Sequence, residues 1–397
     1  MSTAVARPVG GRILTPFFLF MLALWAAGTV AGLVRFTSGL GASTAMSDGY
    51  PWGIWIALDV VVGTALACGG YAVALLVYIF NRGQYHPLVR PAILTSALGY
   101  STAAVAIVFD VGRYWGLWKV PLFVHRWNLR SALLEVALCV MAYIVVLWVE
   151  VSPAILDRWR EAGNDRLRRF AESVGPRLQA ALPYIIALGL LLPTMHQSTL
   201  GSVWLLPVSK LHKLWLTSWL PFLFLVSCIA MGYAMVVLET TFSGRAFGLP
   251  RDTRLLGAMA RAIAGVSAVF LAVRVVDVLW RGQLGAAFRL DRLSLLFLLE
   301  TALWLASVVM LLAPRMRDTA RWQIQTAFVL VAAGTLYRLN TYLFAFNPGP
   351  GWTYFPSVVE LLVTFGLVAT ETMAYLVIVK RFPILAGAPA PAARGRP

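Results

Sequence analysis

Between Asp110 and Glu135 the chain reads DVGRYWGLWKVPLFVHRWNLRSALLE, and this stretch gathers ionisable side chains between two apolar runs. Asp110, Arg113, Tyr114, His125, Arg126, Asn128, Arg130 and Glu135 fall in one connection and at the ends of the two apolar runs that flank it. Charged groups at a hydrocarbon boundary are retained only where they pair with one another or carry out chemistry. The stretch is therefore expected to form one wall of a site. A carboxylate such as Glu135, with no basic residue one turn deeper, is suited to passing protons.

The elements that must position these groups follow from composition. Of 397 residues, 60% are hydrophobic and 13% charged, against roughly 25% charged in ordinary soluble domains. The chain reads as an all-α integral membrane protein. Apolar windows of about 20 residues mark about ten crossings, near 13–34, 52–80, 89–112, 129–151, 179–206, 215–241, 255–280, 290–313, 322–345 and 355–380. A short tail, 1–12, precedes one transmembrane domain over 13–380, and a Pro/Ala-rich tail, 381–397, is expected to be disordered. The net charge of +16 resides almost wholly in the connections. That placement fits anionic lipid headgroups and membrane topology, not nucleic acid. Lys and Arg favour the tails and even-numbered connections about twofold, which puts both termini in the cytoplasm. The basic run at 152–178 is expected to lie on that membrane surface as an amphipathic segment.

Depth along each run locates further polar groups. Asp59 and Glu135 sit roughly 10 Å in from the outer face, counting 1.5 Å per residue. Asp110 with Arg113, and Arg274 with Asp277, are spaced i,i+3 and in reach of mutual pairs. His196 and Gln197 fall in the outer part of the fifth run, and Arg338 in that of the ninth. Glu300 lies near mid-membrane, with Glu239 and Glu371 deeper. The pattern implies an outward polar pocket with a proton route behind it; the plain alternative is structural ion pairs and helix-end charges that snorkel.

Cofactor chemistry is narrowed by the same residues. Cys68, Cys139 and Cys228 are far apart, each inside an apolar run, so no iron–sulfur or zinc motif is present. Of the four histidines only His196 lies within a span, which argues against a haem held by two imidazoles. With Gln197, Ser198 and Thr199 beside it, His196 is suited to bonding a quinone carbonyl and relaying a proton.

Five stretches carry a resemblance. They are DGYPWGIWIALDV (48–60), DVGRYW (110–115), NLRSALLEVALCVMAY (128–143), PTMHQSTLGS (193–202) and LPFLFLVSCIAMGYAMVVLE (220–239). In this order they resemble the HybB-type membrane subunits of hydrogenase-2-type periplasmic nickel–iron hydrogenases, within the NrfD/polysulfide-reductase membrane-subunit superfamily. The likeness runs over about residues 10–380.

It implies an NrfD-like helical bundle in a bacterial inner membrane, with no redox cofactor of its own. It further implies a periplasmic ferredoxin-like iron–sulfur subunit beside the hydrogenase large and small subunits, passing electrons to menaquinone or ubiquinone. Glu135 and His196 occupy the positions implied for proton conduction and quinone contact. Asp110, Arg113 and Tyr114 match the loop motif beside that pocket, and Asn128 joins them as a candidate quinone contact. Asp59, Glu300 and Glu239 are assigned to the proton path by depth alone.

The alternatives are an NrfD-type quinone module of a polysulfide, nitrite or molybdenum enzyme, a secondary transporter and a plain membrane anchor. No repeat relates the two halves of the chain, as many transporters would require. An anchor gives no reason for Glu135 and Asp59 in lipid.

Overall fold

The structure is a computed structural model describing residues 6–161 and 163–386. Ten helices are long and apolar enough to cross a membrane: α1 (Pro16–Ser38), α2 (Trp55–Ile79), α3 (Gly83–Asp110), α4 (Ala132–Arg160), α5 (Asp165–Leu205), α6 (Leu220–Phe247), α7 (Thr253–Trp280), α8 (Arg292–Leu312), α9 (Ala320–Phe344) and α10 (Val358–Arg381). Among the described residues β-structure is limited to isolated bridges between Ala6 and Ala386 and between Leu211 and Phe346. In hydrocarbon a helix satisfies its own backbone, which is why the apolar runs take this form. The expected disordered tail lies outside the described residues from Gly387 on. Before it, the Arg7 amide donates to Leu385 O, so the two ends of the chain meet on one face, as ten crossings require.

The helices pack around α2 and α6, which bury the largest shares of their apolar windows, 78% and 72%. α6 touches α2, α5, α7 and α9; α3 touches α2, α4 and α10; α1 lies mainly against α10. That last contact is set by glycine: a Cβ on Gly28 would stand 2.6 Å from Gly366 Cα, so only a bare backbone permits the approach.

Two expectations need correction. The basic run at 152–178 is not a separate surface segment. α4 continues to Arg160 and α5 begins at Asp165, capped by the Asn164 side chain, and the two pack as one antiparallel hairpin. α5, at about 60 Å long, therefore extends well beyond the bilayer. The i,i+3 pairs also give way. Arg274 bonds Glu300 on α8 at 3.3 Å, and Asp277 bonds Arg281 at 2.5 Å. Side chains on one helix are angled by its neighbours, and spacing along a single helix does not reveal that.

Wide turns with i→i+5 bonds occur at Trp55–Val62 and Leu75–Ile79 in α2 and at Asn340–Phe344 in α9. Such turns rotate the following side chains out of regular register and are common at functional sites.

Candidate functional site

The widened stretch of α2 packs against α3 and α9, and beside it a connected buried polar network forms. His196 and Gln197 from α5, Tyr100 from α3 and Arg338 from α9 are all fully buried. His196 Nδ1 lies 2.8 Å from Leu192 O, a carbonyl that can only accept, so the ring carries its proton there when neutral. Nε2 is then an acceptor, and the Tyr100 hydroxyl, 2.8 Å away, donates to it. The Gln197 amide donates to Tyr100 OH at 3.3 Å and to Thr64 Oγ1 at 3.1 Å. Its oxygen accepts from Arg338 Nη2 at 2.9 Å. Arg338 also donates to Val61 O, Phe224 O and Ser227 Oγ, the first two at 2.8 Å. A buried guanidinium with no carboxylate partner is thus held by oxygen dipoles from α2, α5 and α6, leaving only Nε without an acceptor. A site of this kind presents a fixed positive charge, an amide and a Tyr–His pair at one depth, a set able to bind and protonate a carbonyl oxygen.

Glu135 reaches the same helix from α4. Thr199 Oγ1 donates to its Oε1 at 2.8 Å, and Thr199 lies three residues beyond His196. Half-buried at the start of α4, Glu135 stands between the solvent-facing loops and the His196 network.

The other expected residues fall elsewhere. Asp110, Arg113 and Tyr114 belong with α1: Arg35 donates to Phe109 O at 2.7 Å and Val111 O at 2.9 Å, and Tyr114 packs edge-on against Phe36. Arg113 is exposed, as is Asn128, whose side chain accepts only from the Arg130 amide within its own turn. None of these shares a contact with His196.

Glu300 sits in a separate buried cluster with Arg274, Trp215 and Asn340. Asp59 accepts from Thr364 on α10, and Glu239 is bonded by Ser243 and Tyr375. The sequence marks Thr199 only as a neighbour of His196, not as a partner of Glu135, and gives Tyr100 and Thr64 no mark at all. A tyrosine or threonine inside an apolar run reads as core until its partner on another helix is known.

A haem does not fit these residues. Both ring nitrogens of His196 are engaged, and His86, His125 and His212 all lie outside the apolar core of the bundle. Among the described residues no group of three or more His, Cys, Asp or Glu is placed to hold a metal ion.

Comparison with known proteins gives a consistent picture. The family model described as polysulphide reductase, NrfD, matches residues 42–344. The chain is 37% identical, over 96% of its length and 95% of the relative's, to the "Probable Ni/Fe-hydrogenase 2 b-type cytochrome subunit" of Escherichia coli K12. It is 28% identical over 58% of its length to the menaquinone reductase integral membrane subunit of Nitratidesulfovibrio vulgaris Hildenborough, covering 54% of that protein. It is 22% identical to the Hdr-like menaquinol oxidoreductase integral membrane subunit of Archaeoglobus fulgidus, over 92% of both chains.

Proposed function

The chain belongs to the NrfD family and is a multi-pass membrane subunit of the hydrogenase and menaquinone oxidoreductase type; on that premise we propose that it is the quinone-reactive subunit of a nickel–iron hydrogenase complex. The observation that carries the reading is the buried Tyr100–His196–Gln197–Arg338 network. Quinone reduction consumes two electrons and two protons. In this reading a partner iron–sulfur protein supplies the electrons, and the protein's own groups bind the carbonyl oxygens and deliver protons to them. Arg338 and the Gln197 amide stabilise the negative charge that accumulates on the reduced ring. The Tyr100 hydroxyl, hydrogen-bonded to His196, is the proton donor closest to the network's centre, and Glu135 reloads it through Thr199. Quinone is a substrate here, and haem has no role in this chain.

The basic tails and even-numbered connections face the cytoplasm of a bacterial inner membrane. The opposite face, with the 113–128 loop, receives the ferredoxin-like subunit and, through it, the hydrogenase large and small subunits. A quinone module serving a polysulfide, nitrite or molybdenum enzyme would use the same site with another donor.

The test is hydrogen-dependent reduction of a soluble menaquinone analogue by the purified complex, beside hydrogen-dependent reduction of an artificial dye. Glu135→Gln and His196→Leu should each lose quinone reduction while dye reduction persists. Quinone activity at the wild-type level in both variants would overturn the assignment, and copurification of a molybdenum enzyme would transfer the site to the other donor.

A further inference from the structure

One helix outside the family-matched segment carries polar groups from end to end. Glu360, Thr364, Glu371 and Tyr375 of α10 are spaced by four, seven and four residues, which keeps them within roughly 60° of one face at 3.6 residues per turn. Each meets a polar partner on another part of the bundle. At the loop face Glu360 accepts from Tyr354 OH at 2.6 Å and the Ala45 amide at 2.8 Å. One turn deeper, Thr364 donates to Asp59 of α2 at 2.7 Å. Further in, Thr102 of α3 donates to Glu371 at 3.3 Å, close to Gly99 of the same helix. Near the face that holds the termini, the Tyr375 hydroxyl bonds Ser243 at 2.8 Å and also Glu239, both on α6.

These carboxylates differ from the structural ones. Glu300 and Asp277 are each paired with an arginine. Among the described residues no Lys, Arg or His forms an ion pair with Asp59, Glu239, Glu360 or Glu371; hydroxyls and backbone amides bond them instead. Buried carboxylates that keep hydroxyls as partners can take up and release protons without breaking an ion pair. The gaps of one to two turns are about 6 to 10 Å along the axis, a distance that side-chain reach together with a bridging water can span.

We propose that this row conducts protons between the two faces of the membrane, alongside the quinone site rather than into it. The placement behind α2 and α3 supports this. Thr102 turns to Glu371 while Tyr100, two residues earlier, turns to His196. Asp59 turns to α10 while the Val61 carbonyl turns to Arg338. Each station passes its proton to the next and is reprotonated from behind, so that one proton enters at one face for each that leaves at the other. The proposal rests on the quinone-reactive reading above, since quinone turnover supplies the driving force.

The experiment uses the purified complex in liposomes loaded with a pH-sensitive dye, with hydrogen as donor and a soluble menaquinone analogue as acceptor. Assembled Glu371→Gln complex should lose at least tenfold of the turnover-driven proton movement. With the gradient collapsed by an uncoupler it should keep at least half the wild-type rate of quinone reduction. Glu371→Asp should recover part of the movement. Tyr375→Phe, which keeps the ring and its packing, should lose twofold to fivefold.

Wild-type proton movement in both Glu371→Gln and Tyr375→Phe would overturn the route, as would a parallel loss of uncoupled quinone reduction, which would put Glu371 on the supply to the quinone. A wild-type complex that reduces quinone but moves no protons across the membrane sinks the route alone. A wild-type complex that reduces no quinone removes the reading of the site on which the route depends.

Discussion

Arg338 Nη2 donates to the side-chain oxygen of Gln197 across 2.9 Å of fully buried space, and no carboxylate takes its place. The pair ties α9 to α5 at the depth where α2 widens. The guanidinium is held by the oxygen dipoles of Gln197, Val61, Phe224 and Ser227.

Replacing Gln197 with Leu removes that acceptor and also the donors to Thr64 and Tyr100. A hydrogen bond to a buried charge is worth about 1.5–3 kcal/mol, so thermal unfolding in lipid should show a loss of that order. Quinone reduction should fall more steeply than stability. Arg338→Lys offers a sharper comparison, because a lysine ammonium cannot span Val61 O, Phe224 O and Gln197 together. An Arg338→Lys complex with wild-type KM and kcat for quinone would count against a charge-stabilising role.

Tyr100→Phe keeps the ring that packs edge-on against Tyr143 at 4.6 Å and removes only the hydroxyl. If Tyr100 is the proton donor, kcat should fall on the order of 100-fold, the lower range for losing a positioned acid. KM should hardly move. Stopped-flow reduction in light and heavy water checks it: the variant should lose the solvent isotope effect of the wild type, and an unchanged effect would assign the proton to another group.

Much of the fold was readable from the chain because lipid thickness sets a ruler. A run of about 20 apolar residues leaves few options, and all ten crossings stand where such runs occur. The ruler fails where a helix leaves the membrane. The charged first turns of α5 do not look like a span, so Asp165–Arg177 seemed separate although it continues the same helix. The site was readable only in part. His196, Gln197 and Glu135 stood out as polar residues in apolar surroundings. Their partners Tyr100 and Thr64 did not, and Thr199 showed only as a neighbour of His196, because a hydroxyl in a helix is inexpensive when it bonds its own backbone.

Arg274 was easy to misassign for a related reason. Asp277 is its nearest acid in sequence, whereas α8 brings Glu300 to it in space. The 113–128 loop was drawn toward α1 by Arg35, a residue whose two backbone contacts, at Phe109 and Val111, have no sequence signature.

Glu300 is the buried partner of Arg274 on α7. Its oxygens accept from Arg274 at 3.3 Å and from Trp215 and Asn340 at 2.8 Å each. Removing one partner of a buried pair costs about 3–5 kcal/mol, so Glu300→Ala should lower thermal stability by that amount. Arg274→Met with Glu300→Leu should recover most of it. A proton-path role would show differently: Glu300→Gln would fold normally and lose quinone reduction. Measuring both properties on one set of variants separates the two.

His212 gives the loop above that cluster a pH dependence. It lies between α5 and α6, where its amide donates to Ala345 O at 3.0 Å and its Nδ1 accepts from the Leu214 amide at 3.4 Å. Burial holds its pKa below the ordinary 6.5, and Lys213 and Arg289 push the same way against Asp291. A lowered histidine pKa means that the unfolded chain binds the proton first, so stability is full above about 6.5 and declines as pH falls through that value. Protonation also fills the lone pair that Leu214 uses, which loosens the turn placing Trp215 on Glu300. Melting temperature should therefore drop between pH 8 and pH 5 in the wild type. His212→Gln, which keeps a neutral acceptor, should flatten that slope; identical slopes in the two proteins would place the acid sensitivity elsewhere.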